Sequence, residues 1–154
     1  MTSRRWIALG LTLLLAVALP TAAFAKDLER TRVALVNSGE EPAASGKAEF
    51  RQRKASRASF KVEAEDLTPA NYDLTVGGTV RGVLDVQVLP DGRVEGELEF
   101  DSKIEPGHLP LDFDPHGQLV TVERAGVVYL QVVFPAAPVP ASAAATKSGK
   151  KGRR

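Results

Sequence analysis

The chain has 154 residues, with 20 basic residues, 19 acidic residues and no cysteine. The lack of cysteine excludes a disulfide scaffold and a thiolate metal site, so a hydrophobic core has to hold the fold together. Residues 26–134 contain 13 of the basic residues and all 19 acidic ones, which gives this segment a charge of about −6. An acidic body argues against nucleic-acid binding through the folded domain, because phosphate contacts require a basic surface.

The first 25 residues have the pattern of a secretory signal peptide. Arg4 and Arg5 precede an apolar run over 6–19, and Ala23 and Ala25 place small residues at the −3 and −1 positions before Lys26. A helix over this run would be about 21 Å long, too short for a hydrocarbon core of about 30 Å. We therefore expect cleavage before Lys26, export to the periplasm or the cell exterior, and no transmembrane span in the mature chain.

Apolar and polar residues then alternate with period two, which is typical of half-buried antiparallel strands. The alternation is clearest where Phe60, Val62 and Ala64 alternate with polar neighbours, and a first strand is expected over 33–36. The inward residues predicted for the other strands are Ala48 and Phe50; Tyr72, Leu74 and Val76; Val80, Leu84, Val86 and Val88; and Val94, Leu98 and Phe100.

Turn residues separate these segments. Gly77-Gly78 and Arg124-Ala125-Gly126 predict tight hairpins, 89–92 (L-P-D-G) predicts a turn, and Gly82 predicts a β-bulge. Short strands with regular turns and no helical periodicity predict an all-β fold over 26–134: a single antiparallel β-sandwich, immunoglobulin-like, of seven to eight short strands. A small β-barrel is the alternative.

Residues 135–154 are rich in proline and alanine and show no alternation, so we expect a disordered tail. The segment Lys147–Arg154 contains five basic residues and no acidic one. Such a segment can bind an anionic envelope polymer or anionic lipid, and it can equally serve as a solubilising tail without a partner.

The segment 108–118 contains the best metal-ligand candidates, His108, Asp112, Asp114 and His116. Carboxylates and imidazoles close together can bind a divalent cation. The spacing lacks both a calcium-loop pattern and an H-x-x-x-H pair, however. The favoured interpretation is therefore an aspartate-capped turn in which an aspartate accepts backbone N–H groups and Gly117 takes a positive φ.

Two sets of charged residues are the remaining candidates. An acidic row comprises Glu95, Glu97, Glu99 and Asp101, and a basic cluster comprises Arg51, Arg53, Lys54, Arg57 and Lys61. The acidic row is favoured as a solvated face or as partners for basic neighbours, and general acid–base chemistry is its alternative. The basic cluster is favoured as cross-strand ion pairing and protection of a sheet edge, and docking of an acidic partner is its alternative. No G-x-S-x-G elbow, phosphate loop or dinucleotide motif is present, so we predict no enzyme.

Several segments of the body resemble a small exported β-sandwich domain found in uncharacterised bacterial envelope proteins. They are G-K-A-E-F at 46–50, F-K-V-E-A-E-D-L at 60–67, Y-D-L-T-V-G-G at 72–78, G-R-V-E-G-E-L-E-F at 92–100 and L-D-F-D-P-H-G-Q at 111–118. The resemblance implies an all-β fold and an exported location, and it implies no activity or functional residue.

These observations predict a non-catalytic extracytoplasmic interaction or structural domain of the bacterial cell envelope, without a cofactor. The alternative is a metal-binding protein or small metal-dependent enzyme centred on 108–116. A carrier for a small apolar ligand inside a barrel is a third hypothesis.

Overall fold

The computed structural model describes residues 27–104 and 106–139, and within them all regular secondary structure is β-strand. The predicted all-β class is confirmed. The predicted signal peptide over 1–25, and residues 140–154 of the tail predicted over 135–154, lie outside the described residues. The strands are β1 (Glu29–Ala34), β2 (Val36–Asn37), β3 (Ser45–Lys54), β4 (Arg57–Glu65), β5 (Ala70–Val76), β6 (Thr79–Val88), β7 (Val94–Asp101), β8 (Leu109–Pro110), β9 (Leu119–Arg124) and β10 (Val127–Val133).

The strands hydrogen-bond in the order β1-β3-β4-β7-β6-β5-β9-β10-β2, and β8 adds to β7. All pairs are antiparallel except β7 with β8. Strands β5, β6 and β7 follow one another as hairpins while β4 lies beside β7, which is a Greek-key arrangement. Because β6 and β7 pair only through Gln87 and Val88 with Val94 and Glu95, the array divides there. We call β1, β3, β4, β7 and β8 the first sheet, and β6, β5, β9, β10 and β2 the second sheet.

The N-terminal segment nearly closes this array. Strand β1 pairs with β3 of the first sheet, and β2 pairs with β10 of the second, with only Leu35 between them. The single strand predicted over 33–36 is therefore divided at Leu35, which is buried in the core. A nearly closed sheet is also consistent with the alternative of a small barrel.

The interior is filled by the inward residues of both sheets. The Phe60 ring lies 5.5 Å from that of Phe134, and Tyr72 lies 5.2 Å from Tyr129, both edge to face. Full burial of a large apolar side chain stabilises a fold by about 1.5–3 kcal/mol. The predicted inward residues that are buried are Ala48, Phe50, Phe60, Val62, Ala64, Tyr72, Leu74, Val76, Leu84, Val86 and Phe100.

The inward face predicted for β6 is wrong at its ends, since Val80 and Val88 are exposed. A β-bulge one residue before the predicted position at Gly82 explains Val80. Leu74 lies opposite Gly82 but Thr75 lies opposite Val80, so Arg81 is the inserted residue. One inserted residue reverses the inward and outward alternation of the residues before it.

Leu98 of β7 is only partly buried, although it packs against the core. Its side chain lies against Gly82, where β6 and β7 no longer pair. Leu98 therefore packs beside Gly82, together with Leu109 of β8, at the margin of the core.

The predicted hairpins are confirmed. Gly77 and Gly78 have φ values of 60° and 78°, and Ala125 and Gly126 have φ values of 53° and 79°. Two successive residues with positive φ match the type I′ turn, whose twist suits a two-residue hairpin.

Candidate functional site

The segment 102–118 connects β7 of the first sheet to β9 of the second, and Phe113 anchors it. The Phe113 ring lies 5.9 Å from Phe60 and 5.1 Å from Phe100, in edge-to-face contact with both. This inward anchor accounts for the D-F-D pattern, because Asp112 and Asp114 on either side point outward and are largely exposed.

The predicted metal-ligand candidates of this segment have separate partners. His108 Nε2 lies 3.6 Å from Glu99 Oε2, whereas Asp112 Oδ1 lies 3.7 Å from Arg81 Nη1. Among these four candidates, the structure brings together only Asp114 and His116. In residues 27–104 and 106–139, no three side chains of the metal-binding types form a group that could hold an ion.

His116 lies between two carboxylates. Its Nδ1 is 2.6 Å from Asp114 Oδ1, and its Nε2 is 2.8 Å from Glu29 Oε1. The side chain is only 8% exposed, and its ring packs edge to face on Phe50 at 4.5 Å. Burial lowers the pKa of the imidazole, but the hydrogen bonds that its ring N–H groups donate to Asp114 and Glu29 outweigh burial and raise this pKa overall.

This arrangement is a clamp between β1 and the 102–118 segment. Both ring nitrogens of His116 are occupied by carboxylates, so neither is available to bind a metal or to remove a proton from a substrate. The His116 backbone N–H also donates to Asp114 Oδ1 at 3.0 Å, and Gly117 has a φ of 70°. The predicted aspartate-capped turn is thus confirmed.

A cleft of about 380 Å³ opens beside this clamp. Phe50, Phe113 and Leu111 form its apolar wall, and Glu29 and His116 form part of its polar wall. Since those two polar groups already bond to each other, the cleft offers no free acid or base from this pair. We find no reactive constellation here.

The second candidate region is the outward surface of β1, β3, β4 and β7, which we call the charged face. The charge of these strands is segregated: β1 and β3 together contain six basic residues and two acidic ones, of which Glu29 is directed to His116 and not to the charged face. Strand β4 contains two of each sign, and β7 contains four acidic residues and no basic one. The charged face is therefore basic at the β1 edge and acidic at β7.

Cross-strand ion pairs hold the middle of the charged face. Across strands, Lys61 Nζ lies 2.6 Å from Glu97 Oε2 of β7, and Lys47 of β3 pairs with Glu63. Within β4, Lys61 Nζ also lies 2.7 Å from Glu63 Oε1. Burial raises the pKa of the Glu63 carboxyl, but hydrogen bonds from Lys47 and Lys61 outweigh it and lower the pKa overall. The predicted cross-strand pairing is confirmed, and each partly exposed pair contributes at most about 1 kcal/mol.

The members of the predicted basic cluster have different surroundings. Arg51 Nε lies 2.7 Å from Asp27 Oδ2, and Arg57 Nη2 lies 3.7 Å from Asp101 Oδ2. Arg53 is exposed at the end of β3. Sequence reasoning missed that β1 lies beside β3 and adds its own arginines to this cluster, since strand neighbours separated along the chain leave no local pattern.

Glu29 was also missed. It lies 87 positions before His116, and only the packing of β1 against the 102–118 segment brings the two together. Glu29 is the first residue of β1, and nothing in the local sequence of that strand predicts a contact with His116.

Comparison with protein-family models gives no match to this chain, and comparison with curated proteins gives none either. No helix in the described part of the chain is long and apolar enough to span a bilayer.

Proposed function

We propose that this chain is a non-catalytic, exported interaction domain of the bacterial cell envelope, and that the charged face is its docking surface. The segregation of charge on that face carries the proposal. Strands β1 and β3 contain six basic and two acidic residues, whereas β7 contains four acidic residues and no basic one. Separated charge of this kind steers and orients a charged partner.

The state of the titratable groups supports a non-catalytic role. Both nitrogens of His116 are engaged by carboxylates, and the pKa shifts of Glu63 and Lys61 follow from ion pairing within the charged face. A general acid or base needs an available proton site directed at a substrate. The space between the two sheets is filled by side chains such as Phe60, Leu84 and Leu130. This filled core gives no support to the hypothesis of a carrier for an apolar ligand.

Site-specific photo-crosslinking in native cells tests the docking surface. A photoreactive residue is placed at Arg53 or Glu97 on the charged face, and at Asp73 or Gln131 on the second sheet as matched exposed controls. We expect crosslinked envelope adducts from the charged face and few from the second sheet. Adducts of equal yield from both faces, or from the second sheet alone, would contradict the proposal.

A further inference from the structure

A groove of about 340 Å³ crosses the basic half of the charged face. Arg30 and Arg32 of β1, and Arg51 and Arg53 of β3, form one side of it. The other lining residues are Glu49, Ser59, Lys61, Glu63 and Glu99.

Three of the four guanidinium groups of this groove pair with only two carboxylates, Glu49 and Asp27. Arg30 binds Glu49 with two hydrogen bonds, at 3.1 Å from Nε to Oε1 and 3.3 Å from Nη2 to Oε2. Arg32 Nε lies 3.7 Å from the same Glu49, and Arg51 pairs with Asp27 outside the groove. Arg53 makes no ion pair with any of the described residues. Two positive charges of the arginine row are therefore left without a carboxylate of their own.

The strand register concentrates this charge instead of dispersing it. Arg30 lies directly opposite Arg51 in the β1–β3 pair, and like charges in such positions destabilise a sheet. This concentration occurs in a body whose net charge is about −6 over 26–134. An anionic ligand would offset the repulsion between these like charges.

The spacing of the arginines favours an extended ligand over a single ion. Outward residues repeat every second position, about 7 Å apart along each strand. Strand β1 has β3 as its only strand neighbour among the described residues, so the row lies at the edge of the first sheet. A chain of linked anions can contact several guanidinium groups at once, and each further contact strengthens binding without a second association step.

We propose that the groove binds a linear polymer bearing phosphate groups, with Arg30, Arg32, Arg51 and Arg53 contacting phosphates spaced along it. Guanidinium groups bind phosphate oxygens through paired, charge-assisted hydrogen bonds. This inference rests on the proposed docking role of the charged face and specifies its ligand. The two proposals can be told apart by experiment. If crosslinks are confined to the charged face but the polymer does not bind, the docking role stands and only the proposed ligand is rejected.

The test uses the mature chain from Lys26 and inorganic polyphosphate of defined length, with affinity measured by calorimetry. The groove variant is Arg32→Gln with Arg53→Gln, which leaves the closer pairs of Arg30 and Arg51 intact. The control variant, Arg93→Gln with Lys103→Gln, removes the same two charges from exposed positions outside the groove. Every variant keeps the basic C-terminal segment, so a difference between variants is due to the groove.

We expect the groove variant to bind polyphosphate about tenfold more weakly or worse, and the control to stay within about twofold of the parent. Higher salt should weaken parental binding, because each neutralised phosphate releases a counterion. Equal weakening in both variants, or no parental binding, would overturn the proposal. Binding to phosphatidylglycerol vesicles without binding to polyphosphate would overturn it too. Thermal melts confirm that both variants fold.

Discussion

Glu29 at the start of β1 and His116 in the 102–118 segment form a 2.8 Å hydrogen bond between Oε1 and Nε2. The second ring nitrogen of His116 is held by Asp114, so one imidazole ties the N-terminal strand to the connection between the two sheets. Phe50 packs against this ring and keeps water from it. The contact closes the end of the sandwich where β1 begins.

This clamp should make stability depend on pH. The pKa of His116 is raised above its ordinary value of 6.5, so its stabilising contribution is complete below pH 6.5 and is lost as pH rises through the folded-state pKa. The Asp114 carboxyl has a lowered pKa: burial alone would raise it, but hydrogen bonds from the His116 backbone and ring outweigh burial. Its contribution is present above its ordinary value of 3.8 and is lost as pH falls through the lowered pKa. Urea melts from pH 5 to 9 should show the His116 effect.

A Glu29→Gln variant should lose much of this pH dependence and about 1–3 kcal/mol of stability near pH 6, because a charged hydrogen bond to a buried imidazolium is removed. The matched control is His108→Gln, whose parent imidazole lies 3.6 Å from its carboxylate neighbour, beyond hydrogen-bonding distance. The same slope of stability against pH in both variants would show that the clamp is not its source.

The second prediction concerns the core. Phe60 is fully buried and contacts Phe100, Phe113 and Phe134, so Phe60→Ala should cost about 3–5 kcal/mol through lost burial and a cavity. Its neighbour Lys61 points to the charged face, and Lys61→Ala should cost no more than about 1 kcal/mol. Free energies of unfolding from urea titrations measure both. Similar losses for the two variants would mean that the inner and outer faces of β4 have been assigned incorrectly.

A third prediction concerns Gly46, which lies where β3 passes the junction of β1 and β2. A Cβ atom there would lie 2.8 Å from the Glu63 carbonyl oxygen and 2.9 Å from Leu35 Cδ1. Because a backbone atom of the neighbouring strand cannot move aside cheaply, Gly46→Ala should destabilise the fold by about 1–3 kcal/mol. The exposed neighbour provides the control, and Ser45→Ala should stay within about 0.5 kcal/mol. Thermal melts of the two variants and the parent measure both effects. A Gly46→Ala variant as stable as Ser45→Ala would show that a side chain is tolerated at this position.

The fourth prediction concerns export. Small residues at 23 and 25 after the apolar run place the cleavage site before Lys26. Sequencing the N-terminus of the protein recovered from outside the cytoplasm should give Lys26 or a residue one or two positions away. Replacing Ala25 by a bulky residue such as Phe should block processing, whereas Thr2→Ala should leave it unchanged. An intact Met1 on the exported protein would rule out the signal peptide.

The local pattern by itself determined the fold class, the hairpins and most inward residues. Phe60, Val62 and Ala64 are buried as their alternation predicts, because successive side chains of a strand point to opposite faces whatever the strand pairs with. The Gly77-Gly78 and Ala125-Gly126 turns follow for the same reason, since the φ values of a type I′ turn depend on the turn residues themselves.

Tertiary structure decided what the alternation could not. The position of the bulge at Arg81 exposes Val80, and Leu98 is only partly buried where β6 and β7 are no longer paired. Pairing of β1 with β3 sets Arg30 opposite Arg51, and packing of the 102–118 segment brings His116 to Glu29. Each of these features depends on contacts between residues that are distant in the chain. The register in which such strands pair is set by burial of the whole core and not by neighbouring residues.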